Sequence, residues 1–254
     1  MPTAIVLVEP ALPENVGAAA RVMASFGLAD LRLVAPEAPH DHPRAVAAAT
    51  HGASVLAGAR VYASVAEAVA DRRRVWATSA RPKELVLPTC GPRALGASLR
   101  AAEAAGAAPA VLFGPERTGL RYEHLRHAHA LVHAPTDPSC PALNLAQAVA
   151  LVAWERWAVV EGAEAPVAGA PPALAPATAP ASDAAPPAPL AAFDAWFDAL
   201  AAAVDGAGWL SDPVLRPRAL RNLRAALLRA GFTDAELHSL HGVVRALTRG
   251  RRDA

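Results

Sequence analysis

Three short segments of the chain combine polar side chains with the glycine and proline residues of loops. They are Pro13–Arg21 (PENVGAAAR), Leu112–Leu120 (LFGPERTGL) and Pro138–Val149 (PSCPALNLAQAV). Their arginine, glutamate and asparagine side chains are types that stabilise an anion, move a proton or fix a hydroxyl group. In combination, they favour a site that positions a polar substrate.

Each of these polar residues also has an ordinary structural interpretation. Asn15 is placed to cap a helix, Glu116 to pair with an arginine in a surface turn, and Asn144 to cap a second helix. Arg21 lies in the first turns of the helix that Asn15 would cap. For each residue alone both interpretations stay open, and only the combination of the three segments favours function.

Several common kinds of site are excluded by the motifs that the sequence lacks. The chain has no G-x-G-x-x-G after its first strand, no phosphate-binding P-loop, no H-E-x-x-H and no C-x-x-C. Cys90 and Cys140 are its only cysteines, and their spacing fits no zinc site. We therefore expect no metal ion and two reduced thiols, as in a cytoplasmic protein.

The elements that must position these segments alternate between strand-like and helix-like patterns. Predicted strands are Ile5–Val8, Leu31–Val34, the residues around Val61, Val75–Ala77, Ala110–Phe113 and Ala130–His133. Predicted helices are residues 17–28, 45–59, 65–71, 95–105 and 143–160. This alternation predicts an α/β fold with a parallel sheet flanked by helices on both faces.

Polar loops follow three of the predicted strands. They contain Thr78–Ser79, Gly114–Glu116 and Pro135–Asp137. Because ligands of parallel sheets bind beyond the carboxyl ends of the strands, these loops predict a cofactor pocket.

The composition of residues 162–189 predicts a linker. Eight of these twenty-eight residues are proline and none is aromatic, so the segment cannot bury enough apolar surface to order itself. It divides the chain into a domain of residues 1–161 and a helical extension of residues 190–254. The extension contains predicted helices at 190–204 and 219–230 and a capping box at Thr233–Glu236.

The net charge of the whole chain is +1, which excludes a generally basic protein. Residues 213–254, however, contain nine arginines and three acids, a net charge of +6. This cluster either contacts phosphates or is a solvated helical face, and charge alone does not separate the two. The start of the chain lacks the pattern of a signal peptide, and no apolar stretch is long enough to span a membrane.

Taken in order, the three segments resemble the signature motifs of the SPOUT superfamily, specifically the TrmH-like 2′-O-ribose RNA methyltransferases of the TrmJ type. The resemblance covers residues 4–161 and extends to the C-terminal helices. It implies a trefoil knot in the C-terminal part of the α/β domain, a cytoplasmic homodimer with its active site near the subunit interface, and S-adenosyl-L-methionine as cofactor.

The resemblance also implies roles for individual residues. Arg21 matches the catalytic arginine, with Asn15, Glu116 and Asn144 as further catalytic residues. The implied cofactor-binding residues are Thr78, Ser79, Ala80, Gly114, Ala134, Pro141, Ala142 and Leu143. The basic C-terminal segment then becomes an RNA-binding surface, with Arg218, Arg221, Arg224 and Arg229 as candidates.

The implied reaction is ribose methylation of tRNA at cytidine or uridine 32 of the anticodon loop. The chain departs from the family pattern at Ala142, where serine is common, and at Cys140, where an aromatic residue is frequent. Two alternatives remain: a related methyltransferase for ribosomal RNA or another tRNA position, and a catalytically silent RNA-binding module.

Overall fold

A seven-stranded parallel sheet forms the centre of the computed structural model, which describes residues 1–79, 87–140, 142–159, 186–206, 212–213 and 215–249. The strands are β1 Ala4–Val8, β2 Asp30–Val34, β3 Arg60–Tyr62, β4 Arg74–Thr78, β5 Thr89–Cys90, β6 Pro109–Phe113 and β7 Ala130–Val132. Their order is β3-β2-β1-β6-β4-β7-β5, and all six neighbouring pairs are parallel. The predicted α/β fold is confirmed.

The central strands are continuous apolar runs because both of their faces are buried. Every residue of β1 and β6 is buried. In β1, Ile5 and Leu7 pack into one core cluster, whereas Ala4, Val6 and Val8 pack into the other. The alternation of side chains along each strand therefore supplies both cores at once.

Ten α-helices lie among the described residues. They are α1 Pro13–Ser25, α2 Pro43–Ala49, α3 Ala53–Ala57, α4 Val65–Ala68, α5 Pro92–Ala104, α6 Tyr122–Leu125, α7 Leu145–Ala158, α8 Leu190–Gly206, α9 Leu215–Ala230 and α10 Asp234–Arg249. Residues of α1, α2, α3, α5 and α7 pack into the first core cluster, and residues of α4, α6, α8, α9 and α10 pack into the second.

The single helix predicted for residues 45–59 is wrong, because a 3₁₀ turn at Thr50–Gly52 separates α2 from α3. The turn packs closely on the backbone of α1. A Cβ atom on Gly52 would lie 2.5 Å from the backbone nitrogen of Arg21. This close approach requires glycine and bends the segment around α1.

The C-terminal helices pack on the sheet. Phe193, Trp196 and Phe197 of α8 are buried in the second core cluster, and the backbone N–H of Leu190 donates to the carbonyl of Arg72 at 2.9 Å. The capping box predicted at the start of α10 is confirmed, since Thr233 and Glu236 bond each other's backbone N–H groups. This helical extension therefore shares a core with the sheet.

Most of the predicted linker, residues 162–185, lies outside the described residues. Its last residues are ordered by contacts with the extension. Pro187 forms a β-bridge with Thr233, and the N–H of buried Ala188 donates to the carbonyl of Phe232 at 2.7 Å. The predicted boundary at residue 189 thus falls within a segment that already contacts the C-terminal helices.

Candidate active site and cofactor pocket

The three polar segments meet in space through a chain of side-chain hydrogen bonds. Asn144 Nδ2 donates to Asn15 Oδ1 at 3.0 Å, and Asn15 Nδ2 donates to Glu116 Oε1 at 2.5 Å. The second oxygen of Glu116 accepts the backbone N–H of Ala11 at 3.3 Å. Both oxygens of the Glu116 carboxylate are therefore held by donors, which fixes the orientation of this group.

Asn144 is held at the start of α7 by a capping box. Its Oδ1 accepts the N–H of Ala146 at 2.9 Å, and Gln147 Oε1 accepts the N–H of Asn144 at 3.0 Å. The capping role of Asn144 is thus confirmed, and it leaves Nδ2 directed at Asn15. One side chain both starts a helix and joins the hydrogen-bonded chain.

Asn15 does not cap a helix, so that structural interpretation is wrong. The helix α1 begins at Pro13, and Leu12 occupies the N-cap position. Proline suits a first helical position because its fixed φ matches the helix and its missing N–H would be unpaired there. Asn15 therefore lies inside the first turn, only 7% exposed, with its side chain free to bond Glu116 and Asn144.

A cavity of about 620 Å³ lies at the carboxyl ends of β4, β6 and β7. Six of the eight predicted cofactor residues line it: Thr78, Ser79, Gly114, Ala134, Ala142 and Leu143. The other two, Ala80 and Pro141, lie outside the described residues. Glu116 also lines the cavity, which joins the hydrogen-bonded chain to the pocket.

Backbone interactions shape the walls of the cavity. A Cβ atom on Gly114 would lie 2.4 Å from the backbone nitrogen of Leu120, so only glycine lets the loop of residues 114–121 fold back on itself. The backbone N–H of Ser79 donates to the carbonyl of Val132, and His133 Nδ1 lies 3.1 Å from the carbonyl oxygen of Ser79. These contacts hold the ends of β4 and β7 together.

The lining of the cavity fits S-adenosyl-L-methionine. Its volume falls within the range of about 300–1,000 Å³ that is usual for small-molecule sites. Apolar side chains such as Phe113, Leu131 and Val152 can cover an adenine ring, and the loop backbone offers polar groups. Glu116 and Arg117 are the charged side chains among the described lining residues.

Arg21 is not part of the hydrogen-bonded chain. It lies further along α1, where it is exposed, and its guanidinium has no hydrogen-bond or carboxylate partner among the described residues. It is thus available to a substrate, or to a second molecule, that approaches this face.

Two features of the loop of residues 114–121 are not predicted from the sequence. Arg117 and Thr118 line the cavity, a position that their place between two loop glycines could have indicated. At the end of the loop, Arg121 Nη2 donates to Glu9 Oε1 at 2.8 Å. Glu9 adopts a φ of 47°, a left-handed conformation that is uncommon outside glycine, and no sequence pattern signals it.

The four predicted RNA-binding arginines have different environments on α9. Arg218 and Arg221 are exposed, and Arg229 is half-buried. Arg224 is only 3% exposed and forms an ion pair with Asp194 of α8. Its position does not fit a role in binding RNA, because tertiary packing places it between two helices.

The part of the chain that the structure describes contains neither a candidate metal site nor a membrane-spanning helix. It contains no group of three His, Cys, Asp or Glu side chains that could hold a metal ion. Nor do the described residues include a helix that is long and apolar enough to cross a membrane.

Comparison with known families matches residues 2–154 to the SpoU rRNA Methylase family. A curated relative from Pseudomonas aeruginosa (strain UCBPP-PA14), named tRNA (cytidine/uridine/adenosine-2'-O-)-methyltransferase TrmJ, is 37% identical over 161 residues. The match covers 62% of this chain and 62% of that relative's length. A relative from Cronobacter sakazakii (strain ATCC BAA-894), named tRNA (cytidine/uridine-2'-O-)-methyltransferase TrmJ, is 36% identical over 65% of this chain and 68% of its own.

Among solved structures, the chain is similar to the crystal structure of TrmJ from Z. mobilis ZM4. The TM-score is 0.81 at 35% sequence identity, and the match covers 98% of this chain and 99% of the other. The likeness therefore includes the C-terminal helices as well as the sheet.

Proposed function

The chain belongs to the SpoU rRNA methylase family, and on this basis we propose that it transfers a methyl group from S-adenosyl-L-methionine to a ribose 2′-hydroxyl of tRNA. One observation carries the proposal. The hydrogen-bonded chain from Asn144 through Asn15 ends at Glu116, which lines a cavity that fits the cofactor. Three segments far apart in sequence thus converge on one pocket.

When bound, S-adenosyl-L-methionine supplies a methyl group on a positively charged sulfur and leaves as S-adenosylhomocysteine. The backbone groups around Thr78, Gly114 and Ala134 would hold it, together with Ser79, Ala142 and Leu143. Ala80 and Pro141 remain candidates for the same role. Because contacts through the backbone depend little on side-chain identity, the alanine at position 142 is compatible with binding.

The remaining residues would act on the ribose. The Arg21 guanidinium stays protonated, so it would stabilise negative charge that develops on the 2′-oxygen, or bind the adjacent phosphate, rather than remove a proton. Glu116 would position the substrate or accept the hydroxyl proton. Asn15 and Asn144 would keep Glu116 in place, so most of the catalysis would be positioning.

The substrate class rests on the names of the relatives. Both of these curated relatives are named tRNA 2′-O-methyltransferases, which supports tRNA over ribosomal RNA for this chain. We place the methylated nucleotide at cytidine or uridine 32 of the anticodon loop and the reaction in the cytoplasm. The knot implied by the family would form the loops around the cavity.

A homodimer is the assembly that the exposed apolar surface supports. Along α1 and α7, which pack side by side, Leu12, Leu143, Trp154 and Val159 are each 40–51% exposed. Phe26 contacts Trp154 edge-on, with ring centroids 6.0 Å apart. A second copy of the chain would cover the exposed Trp154 and the Phe26 ring packed against it. Trp154→Glu should convert the dimer to a monomer in sedimentation.

The test of the proposed function is incubation of the protein with methyl-labelled S-adenosyl-L-methionine and either total tRNA or ribosomal RNA. Label in tRNA that maps to a ribose supports the proposal, and label only in ribosomal RNA assigns the other substrate. Absence of label from both RNAs indicates a silent RNA-binding module.

Two variants locate the chemistry. Arg21→Ala should abolish labelling, whereas Ser139→Ala should not, because Ser139 bonds only Asp137 of its own loop among the described residues. Labelling that survives Arg21→Ala would contradict the role given to Arg21.

A further inference from the structure

A cluster of cationic side chains lies where the C-terminal helices meet the sheet domain. Tyr122 begins α6 directly after the loop that lines the cofactor cavity, and the Arg221 guanidinium of α9 lies 5.0 Å from its ring centroid. Arg126 follows the same short helix. A cleft between α6 and α9 is lined by Tyr122, Arg126, Arg221 and Arg224.

Arg126 and Arg221 differ in their charge balance from the arginines of the described chain that form ion pairs. Both are exposed, and neither has a carboxylate partner among the described residues. Nine other arginines of the described chain are paired with carboxylates: Arg32, Arg44, Arg60, Arg72, Arg100, Arg121, Arg156, Arg216 and Arg224. The cleft therefore presents positive charge that this part of the protein does not neutralise.

Arg224 lies behind the cleft, where Asp194 balances its charge. Its Nη2 binds Asp194, but its buried Nε and Nη1 atoms have no hydrogen-bond partner among the described residues. Its guanidinium lies 5.2 Å from the centroid of Phe193, which fixes its position. Burial raises the pKa of the Tyr122 hydroxyl, and the charges of Arg221, Arg126 and Arg224 oppose this rise.

The size of the cleft limits what can enter it. Its volume of about 10 Å³ corresponds to a single atom the size of a water oxygen. A whole phosphate group does not fit inside, but a phosphate that lies on Arg126 and Arg221 can place one oxygen there.

We propose that Tyr122, Arg126 and Arg221 bind a backbone phosphate of the RNA substrate across the boundary between the sheet domain and the C-terminal helices. The inference rests on the proposed function and names one place where the substrate is held. Arginine suits it, because its planar guanidinium donates two hydrogen bonds to a phosphate. A phosphate here would connect the loop of the cofactor cavity to α9, so both parts of the chain would bind one RNA.

The experiment compares tRNA binding by the full-length wild type and by Arg126→Gln, Arg221→Gln and the double variant over a range of salt concentrations. Each single change should weaken binding about fivefold, because both arginines are exposed and water screens an ion pair at such a position. Each should also reduce the slope of log affinity against log salt by about 1. Cofactor affinity and the rate at saturating tRNA should not change.

The matched control is Arg216→Gln on the same helix. Arg216 is partly exposed and paired with Asp205, and it does not line the cleft. Its replacement therefore changes the net charge by the same amount as the other variants but leaves the cleft unchanged. An equal loss of tRNA affinity in Arg216→Gln, or no loss in Arg126→Gln, overturns the proposal. Thermal unfolding shows whether a variant lowers the stability of the helices. If a variant in α9 does so, the tRNA affinity of Arg126→Gln decides between the outcomes, because Arg126 is exposed and lies outside α9.

Two further outcomes distinguish failure of the phosphate site from failure of the proposed function and from binding of a free anion. If the wild type labels no tRNA, the proposed function is contradicted. If the wild type is active and the variants bind tRNA as tightly as the wild type does, only the phosphate site is contradicted. Binding of inorganic phosphate that is lost in the double variant, without any loss of tRNA affinity, assigns the cleft to a free anion and also overturns the proposal.

Discussion

Asn15 and Glu116 form a hydrogen bond of 2.5 Å between two segments that are 101 positions apart in the chain. Asn15 lies in the first turn of α1, and Glu116 lies in the loop after β6. The strands β1 and β6 are neighbours in the sheet, so the elements that follow their carboxyl ends start side by side. The sheet order thus explains why these two residues meet.

Asn15→Ala removes both hydrogen bonds that Asn15 makes between Asn144 and Glu116. Because a hydrogen bond to a charged group is worth roughly 1.5–3 kcal/mol, we expect methyl transfer to tRNA to slow about tenfold or more. Cofactor affinity should change little, since Asn15 does not line the described cavity. Rates at saturating substrates, and calorimetry with S-adenosyl-L-methionine, check the two halves of this prediction. Ser98→Ala, which removes a hydrogen bond within α5, is the control.

Two substitutions of Asn144 separate its capping role from its link to Asn15. Asn144→Asp keeps an oxygen for the N–H of Ala146 but loses the Nδ2 donor, so the protein should melt near the wild-type temperature and still lose activity. Asn144→Ala loses both roles and should also lower the free energy of unfolding by about 1 kcal/mol. Full activity in Asn144→Asp would show that the link to Asn15 is not needed.

Gly114→Ala tests the fold of the loop that borders the cavity. The new Cβ atom would lie 2.4 Å from the Leu120 nitrogen and 2.5 Å from the Gly119 carbonyl carbon, so the loop must shift. Overpacking of about 1–3 kcal/mol would weaken cofactor binding by about tenfold or more. Gly242→Ala in α10 is the control, because its Cβ atom meets nothing within 4 Å. Similar cofactor affinities for both variants would exclude a binding role for this loop conformation.

The elements that sequence analysis predicted well are those whose pattern is local. The apolar runs of β1, β2, β4 and β6 and the helix cap at Asn144 are read directly from neighbouring residues. The two-residue strand β5 was missed because it exists only through its pairing with β7. Arg224 was assigned to the surface for a similar reason, since Asp194, thirty positions earlier, determines its burial. A feature that depends on a partner far away in the sequence produces no periodic pattern of residues.

His129 should make stability depend on pH. Its Nδ1 accepts the N–H of Val75 at 3.1 Å, and burial, together with the nearby charges of Arg74 and Arg224, lowers its pKa to about 3. The unfolded chain binds a proton near pH 6.5, whereas the folded protein does not until about pH 3. The free energy of unfolding should therefore fall as the pH is lowered through this window, by about 1.4 kcal/mol per pH unit from this group.

The measurement is the unfolding free energy of the wild type and of His129→Asn in denaturant between pH 7 and pH 4. The amide that replaces the imidazole can still accept from Val75 but cannot be protonated, so the variant should be less stable at pH 7 and show a shallower dependence on pH. His238→Asn is the control, because His238 is exposed on α10 and should leave the wild-type slope intact. Parallel pH profiles for the wild type and His129→Asn would contradict the burial of a neutral His129.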